Sequence, residues 1–224
     1  MKNYIDLISD KNYNWLWNRR FRKKNEDGNF THTGFRKVKG IIRMTPNEAL
    51  VLHKFCSNAE QGIVEIGRKL GGSLYLICKC SNVPVYSVDT GRWDSDEGSL
   101  INKCIEEFQD KLSIINCRSA QAVIPQKYDV LFIDGDHTYK GVMRDIIAHW
   151  DKLTNVCIFH DYVTCKGVKD AVDFIINENI AEIIVPPNPN DDSPLNQQPG
   201  GRRNMITVRK LRDLTESLIN WELK

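Results

Sequence analysis

The 224-residue sequence has no apolar run approaching the ~20 residues that a bilayer-spanning helix needs. Its opening, Met1-Lys2-Asn3-Tyr4-Ile5-Asp6, leads into polar and basic residues and not into an apolar signal core. The expectation from both is a cytoplasmic chain without a membrane partner. No C-x-x-C pair occurs among the seven cysteines, whose odd count and mostly apolar surroundings favour buried reduced thiols over disulfides or structural zinc. The G-x-G-x-x-G spacing of dinucleotide sites is missing, which argues against a dehydrogenase. Internal repeats and low-complexity tracts are absent as well. With 41% hydrophobic residues, wholesale disorder is excluded.

Charge of neither sign dominates overall, with 31 Lys+Arg against 29 Asp+Glu, yet it is unevenly placed. Residues 11–43 hold ten Lys/Arg and two acids, and they include Trp15, Trp17 and Phe21. This basic, aromatic stretch has no clean periodicity and reads as a lid, an assembly arm of a homo-oligomer, or a binder of anionic surfaces. Interleaved Trp and Arg suit stacking on bases, so a nucleic-acid-binding or RNA-modifying protein stands as the alternative reading. Thr45-Pro46-Asn47-Glu48 is a helix start, with Thr45 able to cap, Pro46 at the first position and Glu48 completing a capping box. The boundary is placed there, giving a cap or arm over 1–44 and a main domain over 45–224.

From Gly62 onward strands and helices alternate. Apolar runs predict strands over 63–66, 85–89, 114–117, 130–133, 156–159, 180–185 and 205–208. Helical spacing predicts helices over 74–80, 99–112, 139–150 and 167–177, and a C-terminal helix carrying Leu211, Leu214, Leu218 and Trp221. Alternation of this kind argues for an α/β fold: a doubly wound, mostly parallel seven-stranded sheet. The last two strands have only a polar loop, 186–203, between them. They are expected to pair antiparallel at one edge, and Arg202 and Arg203 in that loop could grip an anionic group.

In such sheets ligands bind beyond the carboxyl ends of the strands. Strand one runs into Glu65-Ile66-Gly67 and then Gly71-Gly72-Ser73. Strand two ends in Asp89, strand four in Asp134-Gly135-Asp136-His137 and strand five in His160-Asp161-Tyr162. The glycine turn allows close backbone approach and points helix amides at an anionic group. Asp89 sits at a spacing suited to accept both hydroxyls of a ribose, or else serves as a turn residue. Asp136 reads as a helix cap ahead of Thr138. His32 and His53 stand alone and receive no role.

Glu65-Ile66-Gly67 with Gly71-Gly72-Ser73, Phe132-Ile133-Asp134-Gly135-Asp136-His137-Thr138-Tyr139 and Phe159-His160-Asp161-Tyr162, followed by Gly167-Val168 and Ala171-Val172, resemble class I S-adenosylmethionine-dependent methyltransferases. Within that class they resemble the branch of macrocin-type sugar O-methyltransferases and cephalosporin-hydroxylase-like proteins, over about residues 45–210. The resemblance implies a Rossmann-like fold and O-methylation of a sugar-like or other small acceptor. It implies that Gly67, Gly71, Gly72 and Ser73 line the methionine part of S-adenosylmethionine, with Glu65 near its ammonium or organising the loop. Asp89 would hold the ribose, and Ser119 would lie where the family contacts adenine, although Arg118-Ser119-Ala120 lacks the acid often found there. Asp134 would join the cofactor site and, with His160 and Asp161, hold Mg²⁺ or Mn²⁺, His160 standing where relatives often carry an acid. His137 is the candidate general base, since its loop faces the cofactor cleft; tying down that loop by hydrogen bonds is its other reading.

Overall fold

The computed structural model describes residues 44–95, 99–188 and 203–216, together with two short antiparallel strand pairs, Lys23–Lys24 with Phe30–Thr31 and Pro194–Leu195 with Gln198–Pro199. Most of the basic stretch, the greater part of the 186–203 loop including Arg202, and the C-terminal stripe residues Leu218 and Trp221 lie outside the described residues. None of the described helices is long and apolar enough to cross a membrane.

Helix α1 spans Pro46–Cys56 and starts as expected. The Thr45 hydroxyl accepts from the Glu48 amide, and the Glu48 carboxylate accepts from the Thr45 amide at 2.7 Å. The chain then runs through β1 (Ile63–Ile66), α2 (Gly72–Cys80), β2 (Val85–Asp89), α3 (Ile101–Phe108) and β3 (Leu112–Asn116). It continues through β4 (Tyr128–Ile133), α4 (Tyr139–His149), β5 (Leu153–Phe159), α5 (Lys166–Asn177), β6 (Ala181–Val185) and β7 (Ile206–Lys210). The seven strands form one sheet in the order β3-β2-β1-β4-β5-β7-β6. β1 to β5 are parallel, and β7 runs antiparallel to both β5 and β6. The antiparallel pair thus closes one edge, and the reversed strand sits one place in from it.

Alternate side chains of the central strands feed two cores, as the pleat requires. Ile63, Val130, Phe132 and Ile158 pack with Leu52, Leu74, Ile77 and Cys104 from α1, α2 and α3. Val64, Ile66, Leu131, Ile133 and Phe159 pack with Val142, Ile146, Val172 and Ile175 from α4 and α5. Both faces of the sheet are covered, which is why its strands read as continuous apolar runs.

Element boundaries moved where pairing overruled local pattern. The helix expected over 99–112 stops at Phe108, because Leu112 is drawn into β3 opposite Val85. β4 reaches back to Tyr128 and β5 to Leu153, which pair with each other. The polar Asp129 inside β4 is explained by its carboxylate, which accepts the amides of Glu60, Gln61 and Gly62 ahead of β1. Trp150 leaves the helix for a 3₁₀ turn, Trp150–Lys152, and is fully buried there.

Candidate active site

The loops after β1, β2, β3, β4 and β5 enclose one cavity of about 1080 Å³. Gly67, Gly72, Ser73, Asp89, Ser119, Asp134, His137, His160 and Asp161 all line it. Gly71 and Glu65 do not.

Gly67 shows why the turn after β1 needs glycine. Its φ is +88°, and a Cβ there would lie 2.3 Å from the Asp134 carbonyl oxygen. The loops after β1 and β4 therefore touch through backbone alone. Gly71, with φ +79°, is the N-cap of α2 and abuts Ile101. Its part is to start the helix, while Gly72 and Ser73 face the cavity.

Asp89 ends β2 and folds the glycine turn around itself. Its Oδ2 accepts the amides of Arg68 at 3.0 Å and Lys69 at 3.2 Å, and its Oδ1 accepts the Gly91 amide at 3.0 Å. Beneath this turn lies Arg68, almost wholly buried, which sequence reasoning did not single out. Its guanidinium makes a two-point contact with Asp94, at 2.6 and 3.2 Å. It also donates to the carbonyls of Ser87 and Ile115 and to the Asn116 side chain. One cation thereby ties the first loop to the ends of β2 and β3.

Glu65 is buried beneath the turn, accepting from the Ser73 hydroxyl at 2.5 Å and the Ser87 hydroxyl at 2.7 Å. Burial lifts its carboxyl to about 7, against the two hydroxyl bonds, which act to lower it. Its hydrogen-bonded link to the cavity is Ser73. Ser119 lines the cavity with its hydroxyl committed to Asp145, at 2.5 Å. Burial raises the Asp145 carboxyl to about 6. Asp145 also went unremarked in the sequence; its only signal is an acid on the buried, mostly apolar face of α4.

The ends of β4 and β5 bring charged groups together. His160 Nδ1 lies 3.2 Å from Asp134 Oδ1 and 3.5 Å from Asp161 Oδ2, and His160 Nε2 lies 3.7 Å from Glu48 Oε2. Burial opposes a charge on this imidazole, but the three carboxylates win and push it up to about 12. The same proximity takes the Asp161 carboxyl down to about 2. Asp134 is also lowered, since the neighbouring His137 and His160 imidazoles outweigh its burial. His137 Nε2 stands 3.3 Å from Asp134 Oδ1 and 3.7 Å from Asp161 Oδ2, and the bond to Asp134 raises it above the ordinary histidine value.

Two neighbouring residues are structural. Tyr162 donates to Asp173 at 2.6 Å, fastening the loop to α5. Asp136 is not the helix cap expected of it: Thr138 caps α4, and Asp136 accepts the Thr138 amide at 3.0 Å in the turn before it.

The residues fit a divalent ion. Ligand atoms of Asp134, His160 and Asp161 lie within 4.8 Å of one another. Neither His160 nitrogen, though buried, makes an aligned hydrogen bond. An octahedral ion with bonds of ~2.1 Å sets adjacent ligands about 3.0 Å apart, close to the spacings here. Three acids around one imidazole call for a positive charge, supplied either by a proton on His160 or by a cation among the carboxylates. Glu48 is the surprise in this group. It was read only as half of a capping box, yet its other oxygen accepts the Asn204 amide at 2.7 Å, tying α1 to the start of β7 beside His160.

Residues 64–162 match the family model described as a methyltransferase domain. No curated protein matches the chain by sequence. Among solved structures, an O-methyltransferase from Bacillus cereus in complex with SAH is similar, with TM-score 0.57 and 15% identity over 75% of this chain and 82% of that one. A putative caffeoyl-CoA O-methyltransferase from Staphylococcus aureus gives TM-score 0.56 and 15% identity, over 76% of this chain and 85% of that one. A putative methyltransferase from Streptococcus mutans, in complex with SAH, gives TM-score 0.52 and 14% identity, over 73% of this chain and 98% of that one. Residues 64–162 thus resemble a methyltransferase domain, and the chain has the fold of the S-adenosylmethionine-dependent methyltransferases.

Proposed function

We propose that the chain transfers a methyl group from S-adenosylmethionine to a hydroxyl of a small, sugar-like acceptor, with a divalent ion, Mg²⁺ or Mn²⁺, held by Asp134, His160 and Asp161. The observation that carries this reading is the convergence of the glycine turn, Asp89, Asp134, His137, His160 and Asp161 on one cavity. At about 1080 Å³ it has room for a nucleoside-sized donor and a small acceptor together.

S-adenosylmethionine, when bound, supplies an already electrophilic sulfonium methyl, and the divalent ion supplies positive charge for the acceptor oxygen. Gly67 and Gly72 keep the cavity floor free of side chains, so backbone meets the donor. Asp89 presents its carboxylate for the ribose while fixing the turn. Ser119 lies on the side assigned to adenine. His137 accepts the acceptor hydroxyl's proton as the carbon–oxygen bond forms and the carbon–sulfur bond breaks. Asp134 and Asp161 orient its imidazole and steady the charge it gains. The domain over 45–224 carries this chemistry, with the 1–44 segment as a cap or arm.

The test is calorimetry with S-adenosylhomocysteine (SAH), followed by single-turnover assays on His137→Ala. SAH binding by both proteins is expected, with turnover in the variant lowered ~10²–10⁴-fold. No SAH binding by the wild type removes the donor assignment, and undiminished turnover in the variant removes His137 as the base.

A further inference from the structure

The function described above leaves Cys165 unused. Five of the seven cysteines are buried in the cores, whereas Cys117 and Cys165 are partly exposed. Cys165 is the N-cap of α5, and its amide donates to the Asp161 carbonyl at 2.8 Å, so the two residues share one tight turn. Asp161 itself is held at φ +56°, with its Oδ1 accepting from the Thr164 hydroxyl at 2.9 Å. Its Oδ2 lies between the two imidazoles, 3.5 Å from His160 Nδ1 and 3.7 Å from His137 Nε2.

Gly167 completes the arrangement. A Cβ there would lie 2.4 Å from the His137 carbonyl oxygen and 2.5 Å from the Tyr139 amide nitrogen. The start of α5 is therefore pressed against the backbone of the loop that carries His137. One nitrogen, one oxygen and one sulfur ligand atom from His137, Asp161 and Cys165 come within 4.8 Å of one another at the cavity rim.

We infer that His137, Asp161 and Cys165 form a second metal site, for a soft divalent ion of the Zn²⁺ class, which shares Asp161 with the Asp134–His160–Asp161 group and differs from it in the other two donors. Thiolate and imidazole select zinc-like ions over Mg²⁺, which prefers oxygen alone. Tetrahedral zinc, with bonds of ~2.0–2.3 Å, sets its ligands roughly 3.3–3.7 Å apart. The His137–Asp161 edge already has that length, and the half-exposed rim lets the other edges close by small side-chain rotations. Three protein ligands leave a fourth position for water or acceptor. An ion bound here occupies the imidazole nitrogen of His137 and engages Asp161. On the functional reading given above, Zn²⁺ therefore inhibits methyl transfer by withholding the base, and Cys165 sets the enzyme's sensitivity to it.

Binding is tested without reference to activity, by titrating the purified full chain with Co²⁺ as a spectroscopic substitute for Zn²⁺. The wild type is expected to develop a thiolate-to-cobalt charge-transfer band that added Zn²⁺ abolishes and Mg²⁺ leaves in place. Cys165→Ser and, independently, His137→Ala are each expected to lose it. No band in the wild type, or a band that survives in Cys165→Ser, overturns the site. His137→Ala decides the matter should the serine variant not fold. Methyl-transfer assays then read the consequence. Cys165→Ser is expected to keep its turnover in Mg²⁺ and to need at least about tenfold more Zn²⁺ for half-inhibition. Equal Zn²⁺ sensitivity in the two proteins overturns the inhibitory role. An absence of turnover in both, with the cobalt band present in the wild type and lost in Cys165→Ser, counts against the functional reading and leaves the metal site standing.

Discussion

Glu65 offers a direct test of how the glycine turn is supported. Its carboxyl, buried under Ser73 and Ser87, is raised from 4.5 to about 7. Between those values the folded protein holds a proton that the unfolded chain has released. Stability therefore falls as pH rises through that window, at up to about 1.4 kcal/mol per pH unit. The accumulated cost above pH 7 is about 3 kcal/mol. Glu65→Gln carries no charge at any pH, and its amide can still accept from one serine hydroxyl and donate to the other. The variant should therefore gain on the wild type as pH rises from about 4 to about 8. For a domain of this size the change in the difference between their melting temperatures should be ~6–12 °C. Paired thermal melts by circular dichroism across that range measure it, and other titrating groups cancel in the difference. A difference that stays flat, or a wild type that gains on the variant with rising pH, would refute the account of Glu65 as a buried acid held neutral.

The glycine turn gives two further predictions. Gly67→Ala places a methyl 2.3 Å from the Asp134 carbonyl oxygen at a positive φ, so urea denaturation should show a loss of at least about 3 kcal/mol; an unchanged midpoint would mean that the loops after β1 and β4 do not meet as described. Asp89→Ala strips the acceptors from the Arg68, Lys69 and Gly91 amides, which should cost about 1–3 kcal/mol and abolish the thermal shift given by SAH. A full SAH shift in that variant would take Asp89 out of the donor site.

Much of the fold was legible in the sequence because it is written in local terms. Apolar runs such as Val130-Leu131-Phe132-Ile133, helical spacing in 101–108 and 167–177, and the Thr45–Glu48 capping box each report a short-range preference, and tertiary packing kept them. Strand ends bearing acids and histidines were likewise visible, since an α/β sheet gathers its carboxyl ends on one side whatever the order of its strands. Asp134, His160 and Asp161 met there as that rule demands. What the sequence by itself could not decide was how each side chain is used. Asp89 is bonded to amides, Glu65 sits beneath the cavity instead of in it, and Gly71 caps a helix. Arg68 is buried as the tie between three strand ends, Glu48 reaches His160 from a distant helix, and Cys165 comes to His137 only because Gly167 lets two loops touch. These are contacts between segments far apart along the chain. Their strength depends on burial and on a few tenths of an ångström of packing, and neither exists until the sheet has assembled.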